Sequence, residues 1–215
     1  MIITRLVKKG KNVIVEVDGN DEFLVMEEVV YKAGLRKHDE ITEEQLNGFI
    51  AQSSLIKIKE KAFDLLSRRA HSARELKNKL LKKGFEAYQI NPVIEELSRK
   101  GYLNDEEFAK LLAEEKIVKR KKGLNLVRKV LYEKGIDRHI IDKTLAAYSG
   151  SEILFENAVA IAEKKIKSLK HKNYNNIKLK NKIQLFLSSR GYPGELIAKV
   201  IQELFNSTGQ IESEE

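Results

Sequence analysis

The chain has 215 residues, of which 42% are hydrophobic and 33% charged, with a formal net charge of +8. That is enough apolar material to bury a core, and the positive balance favours an anionic partner, either nucleic acid or an acidic protein surface. With no cysteine at all, disulfides, thiolate nucleophiles and cysteine-held zinc are excluded.

The opening residues MIITRLVKKGKN place their cations after a very short apolar run, which is not the layout of a signal peptide. No apolar stretch reaches the length of a bilayer span, so a cytoplasmic protein without membrane contact is expected. Val13, Val15 and Val17 alternate with Ile14, Glu16 and Asp18, the period-two pattern of a half-buried strand. Asp18-Gly19-Asn20-Asp21 signals a turn, Phe23 to Met26 a returning strand, and Ile2 to Val7 a third strand reached through Lys9-Gly10-Lys11-Asn12. The aspartates lack the spacing and distal glutamate of a calcium loop. Glu27 to Ala33 reads as a short helix stopped by Gly34. Thr42 with Gln45 forms a capping box that opens a helix through about Gln52. At Ser53-Ser54 two outcomes stay open: a break, or one helix running on into the next.

From Leu55 the pattern is helical throughout. Ser72 and Glu75 have capping-box spacing, and Leu76, Leu80 and Leu81 form one face opposite Arg74 and the lysines. Gly84 is placed to stop that helix in a left-handed conformation, with Phe85 folding back. This unit returns twice, on Gly135 and Gly191. Each glycine has apolar residues four and eight positions before it (Leu80 and Leu76; Leu131 and Val127; Leu187 and Ile183), a large apolar residue after it (Phe85, Ile136, Tyr192), and Ile90, Ile141 or Ile197 six positions on. A further helix precedes each hairpin, over Leu55–Arg69, Asp105–Lys119 and Glu152–Leu169, with Asn104 or Asp105 capping the second and Ser151 the third. The expected fold is mainly α: three tandem three-helix repeats in an extended curved array, preceded by a small β-rich N-terminal region. Boundaries fall at 1–51 for the leader, 52–101, 102–149 and 150–206 for the repeats, and 207–215 for an acidic tail. An extended array would have a radius of gyration above the ~17 Å of a compact chain of this length.

The cations cluster. Lys57 to Lys83 holds ten Lys or Arg against Glu60, Asp64 and Glu75; Lys119-Arg120-Lys121-Lys122 forms a block; Lys164 to Lys182 holds eight lysines and no acid. One such run is commonly a solvated helix face, whereas one in every repeat favours a shared anionic track of phosphates or carboxylates. Catalytic constellations are missing. The four histidines have no metal-ligand spacing, there is no phosphate-cradling glycine loop, and Asp105, Glu106 and Glu107 sit where a helix dipole favours them. The recurring tyrosines Tyr102, Tyr132, Tyr148 and Tyr192 read as packing residues. Neither an enzyme nor a cofactor is expected.

Arg69-x-His71-Ser72-x-x-Glu75-Leu76, Lys79-Leu80-x-x-x-Gly84-Phe85 and Gly101-Tyr102-Leu103-Asn104-Asp105-x-x-Phe108-Ala109 together resemble the RecX family, bacterial regulators of the RecA recombinase. Gly123-x-x-x-Val127-Arg128-x-x-Leu131-x-x-Lys134-Gly135-Ile136 fits that family's second repeat, and the third repeat lacks an equivalent of Gly123. The resemblance covers about 55–205. It implies a monomeric, non-enzymatic modulator that lies in the groove of the RecA–single-stranded DNA filament and acts in recombination, DNA repair and the SOS response. On this view the contacts to filament and DNA come from Arg68, Arg69, Arg74, Lys77, Lys82, Lys83, Lys119, Arg120, Lys121, Lys122, Arg128 and Lys129. A free-standing DNA-binding protein built on helix-turn-helix-like hairpins is the competing expectation, although the segments after each glycine offer few base-reading side chains.

Overall fold

The computed structural model describes residues 1–169, 171 and 174–206, and the acidic tail expected at 207–215 lies outside them. Three antiparallel strands open the chain, β1 (Ile3–Lys9), β2 (Asn12–Val17) and β3 (Asp21–Met26), in the order β1-β2-β3. The alternation in β2 sorts its side chains as expected, with Val13, Val15 and Val17 all buried. Lys9 pairs with Asn12 across a two-residue turn, for which Gly10 takes a φ of 63°. The buried face packs on Val29 of α1 (Glu27–Ala33), then on Ile41 and Leu46.

Leu46 belongs to α2, a single helix from Glu43 to Leu66. Its N-terminus carries both arms of the Thr42–Gln45 capping box, at 3.1 and 2.8 Å. Ser53 does not break it, because its hydroxyl donates to the Phe49 carbonyl at 2.8 Å and accepts from the Met26 amide at 2.9 Å. A buried serine is thereby satisfied without giving up the helix. One helix thus serves two cores: Leu46 joins the sheet, while Ile58, Ala62 and Leu65 join the first repeat. It ends at Leu66, short of the Arg69 expected from the pattern, and Ser67 donates its hydroxyl to the Asp64 carbonyl.

The glycine hairpins fold as their registers require. The first joins α3 (Ala73–Leu81) to α4 (Ala87–Arg99), the second α6 (Leu124–Glu133) to α7 (Arg138–Ala146), and the third α9 (Asn176–Ser189) to α10 (Gly194–Asn206). Gly84, Gly135 and Gly191 have φ of 88°, 78° and 88°. The residue after each donates back to the apolar residue four before the glycine: Phe85 to Leu80 at 3.4 Å, Ile136 to Leu131 at 3.1 Å, Tyr192 to Leu187 at 3.1 Å. With the glycine amides bonded to Leu81, Tyr132 and Ser188, these are three Schellman closures. Leu76, Leu80, Val127, Leu131, Ile183 and Leu187 are fully buried, each worth about 1.5 to 3 kcal/mol of transfer free energy before chain entropy is set against it.

Leading helices α5 (Asp105–Glu114) and α8 (Glu152–Leu169) complete the second and third repeats. Asn104 caps α5 by accepting from the Glu107 amide at 3.0 Å, and the helix continues as a π-helical turn over Glu115–Lys119. The described residues form two compact units, one over Met1–Leu103 and a second that begins at Asn104. In the second unit, repeats two and three share one hydrophobic core running from Phe108 to Val200. Asn157, buried in α8, donates to the Ile117 carbonyl at 3.0 Å and stitches the π turn to it. The Gly123 amide donates to the Arg190 carbonyl at 2.9 Å, and the Asn125 amide to the Gly191 carbonyl at 2.9 Å. A Cβ on Gly123 would stand 2.2 Å from the Gly191 carbonyl carbon. The N-cap position filled by Ser72 in α3 and Asn175 in α9 is therefore a glycine here, with no side-chain cap, so that two backbones can meet.

Candidate functional site

The twelve cations singled out in the sequence divide by what each already touches. Around the entry to α3, Arg69 places both guanidinium nitrogens on the Glu75 carboxylate, each at 2.9 Å, and one of them also donates to the Ala70 carbonyl at 3.0 Å. The Glu75 side chain is only 11% exposed while that of Arg69 is half exposed, so the fork-on-fork pair covers the carboxylate from one side, and it holds Arg69 above its usual pKa. His71 is buried and sets Nδ1 2.8 Å from the Arg69 carbonyl. A carbonyl only accepts, so Nδ1 carries the proton and Nε2 is bare, buried and without a hydrogen-bond partner among the described residues. Burial first of all pushes the His71 pKa down, which keeps the ring neutral. Ser72 Oγ accepts from the Glu75 amide at 3.1 Å. The segment Arg69–Glu75 is one closed polar latch that sets the start of α3.

Arg68 reaches Asp64 at 3.2 Å, Arg120 reaches Glu115 at 2.7 Å, and Lys129 lies 3.9 Å from Glu133. Arg128 hydrogen-bonds Asp142, and that contact is the leading cause of the lowered Asp142 pKa. Arg74, Lys77, Lys82, Lys83, Lys119, Lys121 and Lys122 have no carboxylate partner among the described residues. The first four run along α3 and its C-terminal turn, where Arg74 and Lys77 differ little in setting from the lysines that follow. Of the last three, Lys119 ends the π segment, and Lys121 and Lys122 sit in the turn between it and α6. Lys121 there takes a φ of 49° and its carbonyl accepts from the Tyr192 hydroxyl at 2.9 Å.

Lys122 carries the electrostatic signature of a crowded site. Its pKa is lowered by burial and then by the charges of Arg190, Arg120 and Lys116. Arg190 belongs to the third repeat and was invisible as a neighbour of Lys122 in the sequence. The signal for it is the Gly123–Gly191 approach, which no local pattern announces. In the lysine-rich run, Lys165 and Arg190 both lie over the Phe186 ring, at 5.5 and 5.1 Å, and Lys182 over Tyr174 at 4.7 Å. Lys170 and Lys172 of that run lie outside the described residues. The tyrosines expected to pack do not all do so. Tyr192 is buried and Tyr102 meets Phe63 edge-on, but Tyr132 is 69% exposed on the outer face of α6. Among the described residues no cluster of three His, Asp or Glu could hold a metal, and no helix is long and apolar enough to cross a membrane.

Known proteins give this arrangement its context. Residues 59–97, 104–145 and 151–201 match the family models described as the first, second and third three-helix domains of RecX. The regulatory protein RecX of Clostridioides difficile (strain 630) is 31% identical over 208 residues, covering 95% of this chain and 96% of that protein. That of Clostridium botulinum (strain Alaska E43 / Type E3) is 28% identical over 207 residues, with the same two coverages. A crystal structure of regulatory protein RecX superposes with a TM-score of 0.72 over 93% of this chain and 98% of that one. At 22% identity it speaks to the fold alone.

Proposed function

Because the chain belongs to the RecX family, we propose that it regulates the RecA recombinase by binding, as a monomer, in the groove of the RecA–single-stranded DNA filament. The family relationship makes a regulatory role the starting point; the partner and the mode of contact are our reading. The observation that carries it is that seven of the twelve singled-out cations have no carboxylate partner among the described residues, four on α3 and its C-terminal turn and three from the end of the π segment into the turn that opens α6. A cation already paired inside its own chain must first give up that contact, which subtracts up to about 1 kcal/mol from what a new partner contributes. An unpaired one is free to meet a filament carboxylate or a DNA phosphate, which steers association and releases counterions. Several repeats each bringing cations would let one molecule bridge neighbouring recombinase protomers and so alter filament growth and ATP hydrolysis without chemistry of its own. Arg69 has a different place in this reading: with His71, Ser72 and Glu75 it shapes the start of α3 and so positions Arg74 and Lys77.

Co-sedimentation tests the partner directly. At matched salt the protein is expected to pellet with RecA filaments assembled on single-stranded DNA more efficiently than with the same DNA alone, and to change the ATP hydrolysis rate of the filament. Equal pelleting with naked DNA and an unchanged hydrolysis rate would favour a free-standing DNA-binding protein instead.

A further inference from the structure

In the second unit, the joint between repeats two and three gathers cations that are far apart in the chain. The Lys122 amide bonds to the Lys116 carbonyl at 2.9 Å, and the Gly123 amide to the Arg190 carbonyl at 2.9 Å, so three cationic residues are tied together through their backbones. Arg190 then lies over one ring, Phe186, that Lys165 also approaches. Next to it a shallow groove of about 470 Å³ is lined by Lys165, Leu169, Tyr174, Lys182, Leu185 and Phe186. Leu185 is 71% exposed in it, an apolar side chain left in water beside three cations.

We propose that Lys122, Arg190, Lys165 and Lys182 form one continuous track for the phosphodiester backbone of single-stranded nucleic acid, with the Leu185–Phe186–Tyr174 surface receiving unstacked bases. The chemistry points to phosphate over carboxylate and to a single strand over a duplex. Among the described residues none of the four has a carboxylate partner, while Glu115 occupies Arg120 and Lys116 at the edge of the cluster. Like charges held this close raise the free energy of the empty site and are relieved by a polyanion. Burial first, and then the crowding of these like charges, depresses the Lys122 pKa, a consequence of the same placement. The cation–π contacts hold the flexible Lys165, Arg190 and Lys182 side chains over their rings, which lowers the entropy cost of ordering them on a ligand. The exposed Leu185 and the part-buried Phe186 and Tyr174 beside a basic groove suit bases that are already unstacked, whereas a duplex hides its base faces.

The strand contact in the regulatory reading is the premise of this inference, and the test separates the two. Binding of a fluorescein-labelled oligo(dT) to the full chain is followed by anisotropy across a salt series, with no recombinase present. Neutralising Lys122→Gln, Lys165→Gln, Lys182→Gln and Arg190→Gln together is expected to weaken binding at least tenfold. The slope of log affinity against log salt should flatten by about 3, at roughly 0.7 for each phosphate that no longer meets a cation. A control removing the same charge elsewhere, Lys8→Gln, Lys32→Gln, Lys100→Gln and Lys143→Gln, should leave the slope near that of the parent. Equal weakening in both variants, or an unchanged slope in the first, would overturn the track. If the fourfold variant has a lowered melting temperature, Lys182→Gln alone, at an exposed position, must still flatten the slope by about 0.7. Tighter binding of a labelled duplex than of oligo(dT) would overturn the single-strand assignment. Effects on recombinase ATP hydrolysis are measured separately on the same variants. Abolished regulation with intact oligo(dT) binding would sink the track alone, and abolished oligo(dT) binding with intact regulation would uphold it.

Discussion

His71 donates from Nδ1 to the Arg69 carbonyl and leaves Nε2 bare inside the fold, so protonation of the folded state has nowhere to find a partner for the second N–H. Its pKa in the folded chain is held below the ordinary 6.5, chiefly by burial. As pH falls below that value, the unfolded chain takes up a proton that the folded chain refuses. The unfolded state then binds more protons, and stability drops with falling pH. We predict that thermal stability declines between about pH 7 and pH 5 in the parent. His71→Asn keeps a donor near the Nδ1 position and is expected to lower the baseline while removing this decline. Melting curves across that range check both, and an undiminished decline in the Asn variant would assign the dependence to other groups. Glu96, bridging Lys59 of α2 and Lys100, is drawn down to about 2, so its contribution is lost only at lower pH, as the pH falls from 4.5 toward that value.

Among the elements, the glycine turns offer a matched comparison. Gly84 and Gly191 hold the same register, the same φ of 88° and the same Schellman closure, but a Cβ on Gly84 meets nothing within 4 Å, whereas one on Gly191 would stand 2.4 Å from the Leu126 nitrogen. Gly84→Ala should cost about 1 to 2 kcal/mol for the left-handed conformation. Gly191→Ala adds a clash with backbone that has no soft atom to yield, and should cost clearly more. Denaturant titrations of the two variants decide it, and equal destabilisation would mean that the joint between repeats two and three is loose. The registers themselves were legible: residues spaced as helix faces, with a glycine where only a left-handed turn closes the hairpin, are local chemistry. So were the Thr42, Ser72 and Asn104 caps. What was not legible depends on groups far apart in the chain. Ser53 stays helical because Met26 offers it an amide, Arg69 is consumed by Glu75, and Arg190 reaches Lys122 only because Gly123 lets two turns touch. Gly123 stood out in the sequence as lacking a counterpart in the third repeat, and its reason is this contact, where a side chain at the N-cap would collide.

Over the whole molecule, the +8 balance is a poor guide to where a partner binds until self-paired cations are set apart from unpaired ones. Arg68, Arg120, Arg128 and Lys129 already face carboxylates of their own unit. Arg74, Lys77, Lys82, Lys83, Lys119, Lys121 and Lys122 do not, among the described residues. Helix faces, capping residues and shared cores account for the fold without calling on the charged groups of these seven, although the Lys121 and Lys122 backbones do take part, which leaves those charges available for a regulatory role on an anionic filament. The measurement that tests this most directly is the affinity for RecA–single-stranded DNA filaments across a salt series, for two variants of the full chain. Replacing the seven unpaired cations with glutamine should weaken filament binding more than tenfold and markedly flatten its salt dependence, while replacing the four paired ones should change either by little. Equal effects from the two variants, or a parent chain that does not bind the filament, would contradict the account.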